Sequence, residues 1–131
     1  MIMNEKYREL IDAAREAAEQ AYCPYSKFRV GAAVLSKDGR IFTGCNVENA
    51  SYGLSLCAER VALSMAVANG TRSFVALAVV SPSGTASPCG ACRQFLLEFG
   101  RDIDVILPCP DGSFTVHKSA ELLPFPFTLT K

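Results

Sequence analysis

Three cysteines and one glutamate stand where they could do metal chemistry: Cys57-Ala58-Glu59-Arg60, and further along Pro88-Cys89-Gly90-Ala91-Cys92. Zinc favours thiolate and imidazole ligands in a tetrahedral arrangement, and a Cys-x-x-Cys spacing lets two sulfurs converge from the first turn of one helix. Cys57 likewise opens a helical stretch, so exposed N–H groups and two positive dipole ends would face the sulfurs and favour thiolates. Three protein ligands leave a fourth position open, which is what separates catalytic from structural zinc. Water held there becomes a hydroxide donor at neutral pH. Glu59, two residues past Cys57, can lie beside that water without ligating the ion and carry a proton to a substrate. Arg60, and Gln94 two residues after Cys92, are candidates to offset the thiolate charge by donating hydrogen bonds from a second layer.

Spacing alone leaves other readings open. The zinc could be structural, with Cys23, Cys45 or Cys109 closing a four-cysteine site; Cys57 could be a packed core cysteine, and Glu59 an ordinary first-turn glutamate. His117, the one histidine, lies far along the chain and reads as a surface or strand residue. No substrate follows from spacing.

The chain of 131 residues is expected to form a single domain over residues 1–131, with 50% hydrophobic and 20% charged residues. Thirteen basic and thirteen acidic residues give no net charge and no basic stripe, which argues against a nucleic-acid partner. No apolar stretch is long enough for a membrane span and the N-terminus reads as a charged helix, so a cytoplasmic protein with reduced cysteines is expected. Two N-x-S/T matches, at Asn49 and Asn69, read as chance in that setting.

The elements that must position the cysteines follow from periodicity. Residues 4 to 22 read as an amphipathic helix stopped before Pro24. Strands are expected at Phe28–Leu35 and Ile41–Cys45, joined through Asp38-Gly39. A polar loop from Asn46 to Leu56, either connector or binding loop, leads to a helix from Cys57 to Asn69. That helix carries almost no polar face and is expected to be covered on nearly every side, by another subunit where the chain itself falls short. Residues 73 to 80 read as a strand buried on both faces, Cys89–Phe99 as a helix, Ile103–Leu107 and Ser113–His117 as strands, and Ser119–Leu123 as a short helix. Alternating strands and helices predict a layered α/β protein with helices on both faces of a sheet.

Four ordered motifs resemble the cytidine deaminases of the short, homotetrameric, zinc-dependent type: Tyr22-Cys23-Pro24-Tyr25-Ser26-x-Phe28-x-Val30-Gly31-Ala32-Ala33, Gly44 to Gly53, Cys57 to Arg60, and Pro88 to Gln94. The resemblance implies a three-layer α/β/α fold with a five-stranded mixed sheet, one Zn2+ per subunit on Cys57, Cys89 and Cys92, and Glu59 as proton shuttle. It implies hydrolytic deamination of cytidine and 2′-deoxycytidine in pyrimidine salvage, by a zinc-activated water attacking C4. By the same resemblance, Asn46 and Glu48 hold the ribose hydroxyls, Phe28 packs on the pyrimidine, and the Ala58 N–H reads its polar edge with Glu59. Tyr52 and Phe127 reach the site of a neighbouring subunit. Rival readings are a deaminase of a blasticidin-type aminopyrimidine nucleoside and a non-catalytic structural zinc module.

Overall fold

Alternating apolar residues in the middle of the chain build a sheet that is buried on both sides. The computed structural model describes residues 4–129, in the order α1 (Glu5–Ala18), β1 (Gly31–Ser36), β2 (Ile41–Cys45), α2 (Ala58–Ala68), β3 (Phe74–Val80), α3 (Gly90–Leu97), β4 (Asp104–Pro108) and β5 (Phe114–Lys118). The strand order is β2-β1-β3-β4-β5; β3 and β4 run parallel and every other neighbouring pair is antiparallel. The expected mixed five-stranded sheet with helices on both faces is what forms.

Within the continuous apolar runs the two-residue period still sorts side chains. Ala32, Val34, Leu77, Val79 and Val105 pack with α2 and α3, while Ala33, Leu35, Ala76, Ala78 and Ile106 pack under α1. Two glycines set how closely the helices approach. A Cβ on Gly31 would lie 1.9 Å from the Ala14 carbonyl oxygen of α1, and one on Gly44 would lie 2.4 Å from the Ala62 nitrogen of α2. Gly44 thus seats α2, and with it the site, directly on β2.

Three boundaries differ from the sequence reading. Asn4 caps α1 by accepting from the Tyr7 N–H (2.8 Å), but the helix stops at Ala18 rather than running to residue 22. Arg29 takes the Glu19 and Ala21 carbonyls (3.0 and 3.1 Å), and Tyr22 pairs with Val47 instead. The first strand begins at Gly31, not Phe28, because the Asn46 amide pins Phe28 and Val30 as a loop (2.8 and 2.9 Å). The expected short helix at Ser119 is of the 3-10 type and ends at Leu122 rather than Leu123. In addition, α2 is not covered all round by its own chain: Ala58, Glu59, Ala62, Leu63 and Ala66 are buried, whereas Met65 is 48% exposed.

Candidate active site

Two helix starts and one loop meet at the end of β2. Cys57 is the N-cap residue of α2 and Cys89 that of α3, which brings the three sulfurs of Cys57, Cys89 and Cys92 within 4.8 Å of one another, with Cys57 and Cys89 at 3.7 Å. Cys23, Cys45 and Cys109 stand outside this cluster as free thiols, at least partly buried, so among the described residues the group has three thiols and no fourth. His117 sits on β5 and bonds Thr115.

The electrostatics favour a thiolate at Cys57. Hydrogen bonding from Cys92, then from Arg60 and Cys89, holds the Cys57 thiol well below its ordinary range despite burial. Cys92 moves the other way, because it is the donor to Cys57 and is buried beside Glu59. The Arg60 Nη2 lies 3.7 Å from the Cys57 sulfur, while its Nε is buried without a partner. Glu59, in the first turn of α2, is 3% exposed, and that burial, with the neighbouring Cys57, pushes its carboxyl up to about 7. The donor set therefore fits a divalent, thiophilic ion with one position free, with Arg60 offsetting the charge.

A cavity of about 490 Å³ opens onto the cluster. Cys57, Ala58, Glu59 and Cys89 line it on the side of the cluster, together with Phe28 and Val30, and Asn46 and Glu48 stand at its rim. No lysine or arginine is among its described lining residues. Glu48 accepts from the Tyr25 and Ser26 N–H groups (3.0 and 3.1 Å) and from the Ser26 hydroxyl.

Residues 4–107 match the cytidine and deoxycytidylate deaminase zinc-binding region. The chain is 49% identical to a probable cytidine deaminase of Dictyostelium discoideum, covering 92% of this chain and 82% of that one. It is 50% identical to a cytidine deaminase of Sporosarcina psychrophila over 92% and 90%. The solved cytidine deaminase of Burkholderia pseudomallei superposes with a TM-score of 0.87 at 50% identity, covering 95% of this chain and all of that one. The chain belongs to the cytidine and deoxycytidylate deaminase family. It is thereby an enzyme of a zinc-dependent hydrolase family, and the matched region and the three thiols agree on one zinc ion.

Not every residue singled out in the sequence lies in this deaminase-type cavity. Tyr52 is 71% exposed and meets Tyr25 edge-on (5.9 Å), outside the cavity lining. Phe127 is equally exposed, and both its backbone groups bond the Gln94 side chain (2.9 and 3.0 Å). Gln94 is consequently engaged with the C-terminal segment, not with the sulfurs. The sequence reading passed over Ser26 and the 85–87 segment, all of which line the cavity. A serine two residues before Phe28, in a Pro-Tyr-Ser turn, was the available signal for the first.

Proposed function

We propose that this protein hydrolyses cytidine and 2′-deoxycytidine to uridine or 2′-deoxyuridine and ammonia. The observation that carries the proposal is a buried glutamate, Glu59, beside three converging thiols, two of which line a cavity large enough for a nucleoside. Cys57, Cys89 and Cys92 would hold the zinc, which when bound supplies Lewis-acid activation of water. Glu59 carries the protons: it takes one from the attacking water and gives it to N3 of the ring, then takes the second from the C4 hydroxyl so formed and passes it to the amino group, which leaves as ammonia as the C4 carbonyl forms. Phe28 lies against the pyrimidine, and the Ala58 N–H orients its polar edge. Asn46 and Glu48, at the rim, receive the ribose hydroxyls. The absence of basic residues from the described lining favours a free nucleoside over a nucleotide.

The working form is a homotetramer with its sites at subunit interfaces. The half-exposed Met65 on an otherwise apolar α2, and Tyr52 and Phe127 standing clear of their own cavity, support this reading. In the tetramer Tyr52 and Phe127 complete the site of a neighbour. Among the described residues no helix is long and apolar enough to cross a membrane, in keeping with a cytoplasmic enzyme of pyrimidine salvage. The deciding experiment follows absorbance during incubation with cytidine, deoxycytidine, cytosine and cytidine monophosphate. Turnover of the two nucleosides and neither of the others is expected. Turnover of cytidine monophosphate alone, or of nothing in zinc-loaded protein, would overturn the reading.

A further inference from the structure

Glu48 does not stand free at the rim. One of its carboxylate oxygens accepts the Tyr25 and Ser26 N–H groups, and the other accepts the Ser26 hydroxyl. The same Ser26 oxygen accepts the N–H of Phe28 (3.0 Å), so one hydroxyl joins the rim carboxylate to the aromatic wall. Between Ser26 and Phe28 the backbone of Lys27 is left-handed (φ 62°), an unfavourable conformation for a residue with a Cβ. The Lys27 N–H on the Cys23 carbonyl (3.0 Å) and the Ser26 contacts on either side hold it there, and the turn they make directs Phe28 into the cavity.

We infer that Ser26 is a positioning residue for substrate binding: its hydroxyl fixes the Glu48 carboxylate and the Phe28 backbone in one arrangement, so that the sugar and base contacts are set before the substrate arrives. This rests on the nucleoside reading and deepens it. With both carboxylate oxygens held from the loop side, the oxygen that accepts only the Ser26 hydroxyl keeps a lone pair for a sugar hydroxyl, and less reorganisation is needed on binding. The Ser26 hydroxyl is also the principal reason the Glu48 carboxyl lies below its ordinary range, with the Ser26 and Tyr25 amides and the Lys27 charge adding to it.

The test is steady-state kinetics of Ser26→Ala, Ser26→Thr and Glu48→Gln, alone and combined, with cytidine and with 2′,3′-dideoxycytidine. Ser26→Ala should raise KM for cytidine roughly tenfold, the size expected for losing one hydrogen bond to a charged group, while kcat changes by less than about threefold. Ser26→Thr, which keeps the hydroxyl, should restore KM. In the Glu48→Gln background the same alanine change should add less than about twofold, because the two residues act as one unit. The analogue lacks the 2′ and 3′ hydroxyls but keeps the 5′ hydroxyl and the base, so its KM should rise less than that of cytidine. Should Ser26→Ala fail to fold, Ser26→Cys, which keeps the volume but donates weakly, carries the same test. Equal KM values for wild type and Ser26→Ala, or a full additional loss in Glu48→Gln, would overturn the positioning role and leave the deaminase reading intact. A wild type without cytidine turnover would overturn both.

Discussion

The two faces of the sheet bury polar groups in opposite ways. Under α1, Tyr7 donates to Asp104 (2.5 Å) and Lys118 meets the other oxygen of the same carboxylate (2.7 Å), so helix, β4 and β5 are tied by a satisfied network. Burial alone would push the Asp104 carboxyl up; the hydrogen bonds from Lys118 and Tyr7, with the Lys118 charge, outweigh it and hold the group below its ordinary range. Under α2, Glu59 is buried with its carboxyl pushed up, Arg60 keeps a buried Nε without a partner, and three thiols crowd together. One face is arranged for stability. The other accepts unfavourable burial where the chemistry sits, and that contrast locates the active site independently of any motif.

The glycine pair gives the largest test of this division. Gly31→Ala puts a methyl against the α1 backbone and should lower stability by about 3 kcal/mol or more, by denaturant titration, while the protein that still folds keeps its turnover per folded molecule. Gly44→Ala pushes on α2 at Ala62 and Ala58, so it should lose turnover beyond its loss of stability. Equal kinetics in the two variants would erase the distinction between the faces.

Next in size is Glu59→Gln, measured in metal-free protein. The folded carboxyl titrates near 7 and an unfolded one near 4.5, so its protonated form favours folding. That contribution is full below 4.5, declines as pH rises, and is gone above 7. At pH 8 the glutamine variant should therefore be more stable than wild type by about 2–3 kcal/mol, with the gap closing by pH 4.

The smallest effect has the opposite pH sign. Asp104→Asn should cost about 1–2 kcal/mol near neutrality, discounted for partial exposure. Because the folded pKa is depressed, the wild-type contribution is present above the ordinary 3.8 and lost as pH falls below it. Melting curves across pH 3–8 in parallel for the two variants read both slopes.

How much of this was legible in the sequence depends on range. Cys57, Glu59, Cys89 and Cys92 were visible because their contacts are set by local spacing at two helix starts, and the strands because alternation survives within apolar runs. The start of β1 was not. Phe28 and Val30 continue the alternation, and the Asn46 side chain, distant along the chain, is what pins both of them as a loop. Glu48 was legible as a rim residue, but its partnership with Ser26 spans 22 positions and leaves no periodic trace. The bonds of the Gln94 side chain to the Phe127 backbone span 33 positions and likewise leave no trace in the sequence pattern. The apolar composition of α2 told of a surface that one chain does not cover, as the exposure of Met65 records.

The central claim is that Glu59 moves protons at a metal site it does not help to hold. Its most direct test is cytidine turnover by Glu59→Ala with zinc content measured on the same sample. The expected result is one zinc per chain, an unchanged fold and a loss in kcat of at least about 10²–10⁴-fold. Turnover within a few-fold of wild type at full zinc occupancy would contradict it.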